Sequence, residues 1–392
     1  MPDYQYLIVG GGMTADAAIR GIRQTDRSNP IGILSNEKHL PYKRPPLSKA
    51  LWKDEPIEKI WLRTPKENVD IFTSRAVTKI DPKSHTAIDD LGLVYSYKKL
   101  LMATGGTVRR LPWNIDGIIY FRTLDDYYSL RKLAAERKDF VVIGGGFIGS
   151  EIAAALAMNG RSVTMIFPEE GIGSRLFPSA LSQYLNTLYE TKNIEVLSGD
   201  GVVNIGKEYN KYVLTTTSGK IIKADGVVAG IGIQPNIELA QAAGLAVGGG
   251  IIVNEFLQTS QPDIYAAGDV ANFYNPALNK HIRLEHEDNA IVMGEYAGRN
   301  MAGDTVRYHH LPFFYSDLFE LGYEAIGELD SRYEMVEDWK EPYREGIIYY
   351  LNEQRVRGVL LWNTWGQVDA ARSLIAEKGP FTAVNVKGRL PA

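Results

Sequence analysis

The sequence predicts an α/β protein of two similar βαβ units followed by a β-rich domain, and three observations carry that prediction. An apolar run, Tyr4 to Val9, ends in Gly10-Gly11-Gly12 and leads into a helix pattern from Met13 to about Gln24. The same grammar restarts at Phe140-Val141-Val142-Ile143, ends in Gly144-Gly145-Gly146 and opens a helix through Met158. After about His309 the texture changes to alternating runs rich in tyrosine and tryptophan. A strand that stops in glycine and turns at once into a helix opens a βαβ unit. Its recurrence so far along the chain marks a duplicated unit, not a short-period repeat.

Each loop has the chemistry of a dinucleotide cradle. In Gly10-x-Gly12-x-x-Ala15 the first glycine permits the tight turn and the second lets the backbone approach a pyrophosphate. The third position needs only to be small, so that helix and strand can pack, and Ala15 suffices. The helix start then offers unpaired N–H groups to the anion. An acid about 20 residues on is expected to hold a ribose. Ile31 to Leu34 is the next buried strand, and either Glu37 or its neighbour Asn36 takes that role.

Gly144-x-Gly146-x-x-Gly149 is the complete fingerprint, with Phe147 and Ile148 inside it. Ser162 to Phe167 is its second strand, and Glu169 follows. A carboxylate there accepts from the ribose hydroxyls and repels a 2′-phosphate, which favours NADH over NADPH; Arg175 lies close enough in sequence to oppose this. Leu100 to Gly105 and Ile264 to Asp269 are further strands ending in glycine or glycine-acid. Together these predict two Rossmann-like dinucleotide-binding domains.

In the last part, Gly346 to Leu351 and Val356 to Trp362 predict an antiparallel sheet, with a helix from about Gln367 to Glu377 and a loose tail from Asn385 to Ala392. The expected domains are 1–123 with 248–308, an inserted 124–247, and a C-terminal α+β domain over 309–392. Trp362 and Trp365 are expected in the core.

Composition narrows the function. The 392 residues are 45% hydrophobic and carry a net charge of −4, which argues against a nucleic-acid binder, since phosphates call for a basic face. No stretch approaches the ~20 apolar residues of a membrane span. Met1 to Val9 runs directly into a strand pattern, so a cytoplasmic protein is expected. There is no cysteine, which removes disulfides, thiolate metal sites and thiol catalysis. The six histidines form no metal-like cluster, and no metal is expected.

With both loops and Gly268-Asp269 in view, the chain resembles the two-dinucleotide flavoproteins, which include disulfide and ferredoxin reductases. Closer motifs resemble the apoptosis-inducing-factor-like branch of that family. They are Leu40-Pro41-Tyr42-Lys43-Arg44-Pro45-Pro46-Leu47-Ser48-Lys49, Gly144 to Glu151, Phe167-Pro168-Glu169 and Leu284 to Asp288. Ser316-Asp317-Leu318, Gly322 to Gly327, Val359 to Asn363 and Ala370-Ala371-Arg372 complete the set. The sequence departs from that branch where Asn36 occupies the ribose-acid register and Tyr315 stands in place of a tryptophan. It also lacks a long acidic insertion in the last domain, and neither a presequence nor an anchor is expected.

The resemblance implies a glutathione-reductase-like, three-layer fold in which the first loop binds FAD without a covalent link and the second binds NADH. It implies that Lys49 sits by the flavin and pairs with Glu151, and that His286 is the third catalytic candidate. A cation at the flavin stabilises its reduced, anionic form. On sequence grounds alone the plainer readings are Lys49 as a solvated lysine, Glu151 as an acid at a helix N-terminus, and His286 as a packing histidine. Further cofactor contacts implied are Arg44, Ala103, Thr104, Gly105, Arg122, Gly232, Asp269 and Glu285, with Tyr315 covering the ring and Phe147 as a gate.

A disulfide reductase needs a dithiol beside the flavin, and this sequence has none. The expected function is therefore an FAD-dependent NADH:acceptor oxidoreductase whose electrons leave for ferredoxin, rubredoxin, a quinone or oxygen. The alternatives are a dedicated NADH-dependent ferredoxin or rubredoxin reductase, and an NADH-sensing flavoprotein that controls its own homodimerisation.

Overall fold

The computed structural model describes residues Met1–Pro391, and the chain forms two compact units. The first comprises Met1–Arg44, Ile57–Thr107 and Gln234–Phe313. The second comprises Pro45–Pro56, Val108–Ile233 and the chain from Phe314 onward.

The first unit is built on parallel strands in the order Asp70–Phe72, Ile31–Leu34, Asp3–Val9, Val94–Met102 and Ile264–Ala266. Leu7, Ile8, Ile33, Leu100, Leu101 and Met102 are fully buried, the continuous apolar run of strands covered on both faces. Val94–Met102 serves two partners along one edge. Its second half pairs with Ile264–Ala266 and its first half pairs antiparallel with Thr86–Asp89. The strand expected to reach Gly105 ends at Met102, and Ala103 to Gly105 form the loop beyond it.

Two helices of this unit lie unusually close. A Cβ built on Gly294 would stand 2.5 Å from the Thr14 carbonyl oxygen, and one on Gly298 would stand 2.0 Å from that of Ala18. The contacts advance in step along Met13–Thr25 and Glu287–Met301, so both helices begin toward the same end of the sheet. Nothing in the apolar periodicity marks that contact, because glycine carries no side chain to count.

The second unit repeats the parallel theme in the order Ile194–Ser198, Ser162–Phe167, Asp139–Ile143, Gly226–Ala229 and Ile119–Tyr120. A three-stranded antiparallel sheet, Val202–Glu208, Lys211–Thr216 and Ile221–Ala224, lies beside it in sequence. The same unit carries a five-stranded antiparallel sheet in the order Phe313–Leu318, Leu321–Gly327, Arg355–Trp362, Glu345–Asn352 and Glu334–Glu341. Aromatic packing joins it to the second parallel fold. Phe177 meets Tyr323 and Trp362 edge-on at 5.3 and 5.6 Å, and the last two stack at 5.6 Å. The Tyr350 hydroxyl donates to the Leu176 carbonyl at 2.6 Å.

The helix Val368–Ala376 falls within the expected span, with Leu374 and Ile375 buried against the sheet. The expected loose tail is instead docked. Ala383–Val386 is a short helix closed by a Thr382–Asn385 capping box, Val386 and Leu390 are buried, and the Leu390 N–H donates to the Tyr349 hydroxyl at 3.1 Å. Two isolated apolar residues among polar ones gave no periodic signal. Ala392 lies outside the described residues. Trp362 is buried as expected, but Trp365 is 53% exposed, because it follows the end of its strand and lies over Gly322.

The Gly149 contact makes a direct test of this packing. A Cβ there would stand 2.0 Å from the Gly144 carbonyl oxygen, whereas one on Gly146 meets nothing within 4 Å. Gly149→Ala is expected to destabilise the protein by about 1–3 kcal/mol through overpacking. Gly146→Ala, at an ordinary backbone geometry, should stay within about 0.5 kcal/mol of wild type. Denaturant titration of both variants checks this, and equal losses would contradict the contact.

Candidate functional site

In the first unit the glycine loop is shaped by a neighbouring carbonyl. Gly10 has φ +119°, and a Cβ on it would lie 2.1 Å from the Ala103 carbonyl oxygen. Only glycine permits both the turn and the approach. Ala15 is fully buried at the third position, and Gly12 faces open space. Gly12 is also the N-cap of Met13–Thr25, and no side chain caps that helix. An open face beside an uncapped helix start suits an anion, and a pyrophosphate fits it.

Charged groups of the same unit gather near the strand ends. Gly268 packs on Thr14 of the first helix, with a would-be Cβ 2.4 Å from its hydroxyl oxygen, which brings Asp269 to the start of that helix. Arg283 donates to the Asp269 carbonyl at 3.0 Å and pairs with Glu285 at 2.7 Å. The Glu37 carboxylate accepts from the Tyr42 hydroxyl at 2.7 Å and pairs with Arg44, while Asn36 is exposed. Sequence spacing shows Glu37 but not the Tyr42 and Arg44 brace that orients it. Thr104 and Asn236 are tied by two hydrogen bonds, which hold the Ala103–Gly105 loop.

Glu285 and His286 stand just ahead of a helix. The helix is Glu287–Met301, His286 is its N-cap in extended conformation, and Glu285 precedes it. Burial pushes the His286 imidazole down to about 4, against the opposing pull of Asp269 and Asp288. Asp288, in the first helical turn, pairs with His310 and accepts from the Phe313 N–H at 3.2 Å.

The second unit repeats the cradle. Gly144 has φ +115° and faces the Gly230 carbonyl, Gly146 is an N-cap without a side-chain bond, and its Cβ direction is open. Ile148 is partly covered, and Phe147 is 37% exposed and meets Phe314 edge-on at 5.0 Å. Glu169 follows its strand and forms an ion pair with Arg175, whose own side chain is 80% exposed. Arg122 donates its backbone N–H to Asp126 at the start of Leu124–Glu136, and Gly232 is exposed at φ +91°.

Lys49 and Glu151 are in contact. The ammonium lies 2.6 Å from Glu151 Oε1, with the lysine side chain 14% and the glutamate 3% exposed. Tyr315 covers the lysine, with Nζ 5.4 Å from its ring centroid. Two groups that sequence reasoning did not single out complete the cluster. Ser48 donates to Glu151 Oε2 at 2.5 Å and Ser316 donates to Oε1 at 2.6 Å. Both serines stand in the motifs of the resemblance, yet a serine next to a lysine or an aspartate gives no spacing signal of its own. Among the described residues no group of His, Asp or Glu is placed to hold a metal, and no helix is long and apolar enough to cross a membrane.

Comparison with known proteins follows this architecture. Residues 4–294 match the family described as pyridine nucleotide-disulphide oxidoreductase. Residues 297–341 and 332–377 match the C-terminal family of mitochondrion-associated apoptosis-inducing factor. The chain is 33% identical to apoptosis-inducing factor 1, mitochondrial, of Dictyostelium discoideum over 97% of this chain and 80% of that protein. It is 33% identical to rhodocoxin reductase of Rhodococcus erythropolis, over 82% and 77%. Among solved structures it is similar to the covalent putidaredoxin reductase–putidaredoxin complex, at TM-score 0.89 and 30% identity, covering 97% of this chain and 94% of that one.

The depressed His286 imidazole sets a pH dependence. Its folded value of about 4 lies below the ordinary 6.5, so the unfolded chain binds the proton first. Its contribution to stability is complete above about 6.5 and is lost as pH falls toward about 4. The thermal midpoint should therefore drop more steeply in that window for wild type than for His286→Asn. Parallel curves for the two proteins would contradict a neutral, desolvated ring.

Proposed function

The chain belongs to the pyridine nucleotide-disulphide oxidoreductase family, and from that premise we propose that it passes electrons from NADH to an external acceptor without a dithiol of its own. It is an oxidoreductase whose cofactors are FAD and a nicotinamide dinucleotide. When bound, FAD takes the hydride that the reduced nicotinamide gives up. One observation carries the reading: each unit has an uncapped helix start beside a glycine facing open space, in a chain with no cysteine.

In this reading the loop Gly10-Gly12-Ala15 holds the FAD pyrophosphate and the helix start supplies its N–H groups. Glu37, oriented by Tyr42 and Arg44, grips the FAD ribose in preference to Asn36. The brace supports this, because a carboxylate fixed by two partners loses little freedom on binding. Ala103, Thr104, Gly105, Asp269, Glu285 and Arg122 complete the FAD contacts. His286, neutral at physiological pH, offers the ring a hydrogen bond without adding charge. Gly144, Gly146, Ile148, Gly149 and Gly232 hold the NADH, with Phe147 as its stacking wall. Lys49 places its positive charge at the flavin, Glu151 offsets the cost of burying that charge, and Tyr315 shields both.

The acceptor is external. A small electron-carrying protein is favoured by the similarity to rhodocoxin reductase and to a reductase joined to putidaredoxin. A quinone or oxygen is the second reading, because the chain has no thiol through which electrons could pass to a disulphide. Anaerobic reduction by NADH, followed by ferredoxin, rubredoxin, quinone or oxygen offered separately, decides between them. Fast reoxidation by one small protein carrier selects the dedicated reductase. Slow reoxidation by every acceptor selects the NADH-sensing reading, and failure of NADH to reduce the protein at all would end the proposal.

Preference for NADH over NADPH is the second part of the proposal, and it rests on Glu169. Its carboxylate opposes a 2′-phosphate, and the exposed Arg175 partner is held by a surface pair of small worth. Glu169→Ala should lower the NADH-to-NADPH ratio of kcat/KM about tenfold, the effect of removing a like-charge repulsion of about 1.4 kcal/mol. An unchanged ratio would take the discrimination away from Glu169.

A further inference from the structure

The buried carboxylate of Glu151 has three donors from two other stretches of the second unit: Ser48 and Lys49 belong to Pro45–Pro56, and Ser316 to the chain from Phe314 onward. Lys49 and Ser316 both reach Oε1 at 2.6 Å, and Ser48 reaches Oε2 at 2.5 Å. Ser48 is 5% exposed and Ser316 1%. Ser316 belongs to Phe313–Leu318 of the five-stranded sheet, and Tyr323 lies on the neighbouring strand Leu321–Gly327. Burial, and then the Glu151 charge, hold the Tyr323 phenol well above its ordinary range, so it stays neutral beside this cluster. Tyr189, also fully buried, is raised by the same two causes.

We infer that Ser48 and Ser316 are positioning residues that set how much of the Lys49 charge is available to the flavin. The inference rests on the reading that Lys49 acts there. An isolated ion pair in this setting would draw the ammonium fully onto the carboxylate, and the two fields would largely cancel. Each serine hydroxyl spreads part of the carboxylate charge onto a neutral donor, which leaves more of the ammonium field uncancelled. Buried ion pairs persist only where further hydrogen bonds occupy the remaining lone pairs, and these two hydroxyls fill that requirement. Ser316 gives the C-terminal sheet an electrostatic part in the reaction in addition to its role as a cover. A packing role alone would leave the redox behaviour of the holoprotein untouched once it had folded.

The test measures the flavin midpoint potential and the rate of anaerobic reduction by NADH in FAD-loaded variants. Ser316→Ala is expected to lower the potential and slow reduction about tenfold, the worth of one charge-assisted hydrogen bond. Ser316→Thr, which keeps the hydroxyl, should restore most of both. In a Glu151→Gln background the same Ser316→Ala change should alter the rate by less than about twofold, because its partner charge is gone. Should Ser316→Ala fail to bind FAD or to fold, Ser48→Ala makes the same measurement through Oε2. Wild-type potential and rate in the serine variants, or an equal loss with and without the Glu151 charge, would overturn the inference. Lys49→Ala separates the two levels. If it leaves the potential unchanged, the flavin role of Lys49 falls, and if it lowers the potential while the serine variants do not, only the present inference falls.

Discussion

A backbone carbonyl stands where a side chain would be at the first glycine of both nucleotide loops. At Gly10 it is the carbonyl of Ala103, one residue past Val94–Met102, and at Gly144 it is that of Gly230, one residue past Gly226–Ala229. In each unit that carbonyl ends the strand that pairs parallel with the one leading into the loop. The approach forces the chain to turn at once. The turn starts a helix with no residue to spare for a capping side chain, and the uncapped start is what suits an anion. One steric constraint, met twice, thus links strand order to phosphate chemistry.

The two units build on that frame with different materials. In the first, a second helix is drawn against the first by Gly294 and Gly298, so the start of Glu287–Met301 carries His286 and Asp288 toward the strand ends. In the second, the helix that opens the cradle carries Glu151 inward, and segments distant in sequence meet it. Pro45–Pro56 follows the first βαβ in the chain but packs with the second unit, which is how Lys49 and Ser48 reach Glu151. A charge so deeply covered needs donors on both carboxylate oxygens, and the sheet that supplies Ser316 is held in place by the Tyr323–Trp362 stack with Phe177 edge-on against it.

The absence of cysteine gives this arrangement its chemical direction. The family name refers to disulphides, yet this chain has no thiol to carry electrons onward. The Lys49–Glu151 cluster is a buried set of fixed charges and hydroxyls in the second unit, and in the reading proposed above it supplies the polarity beside the flavin.

The sequence by itself determined the two cradles and the β-rich last domain. Glycine spacing, apolar alternation and helix onset are local properties, and short-range sterics enforce them. It also determined that Lys49 and Glu151 deserve attention, though only through motif resemblance, since over a hundred residues separate them. Only the tertiary structure decided that Ser48 and Ser316 share the Glu151 carboxylate, that Tyr42 and Arg44 brace Glu37, and that His286 caps its helix from outside. It alone decided that the tail around Val386 and Leu390 docks while Trp365 stays exposed. Each of these depends on contacts between segments far apart in the chain. Hydroxyls, glycines and solitary apolar residues leave no periodic trace, so their meaning appears only when folding brings the partner to them.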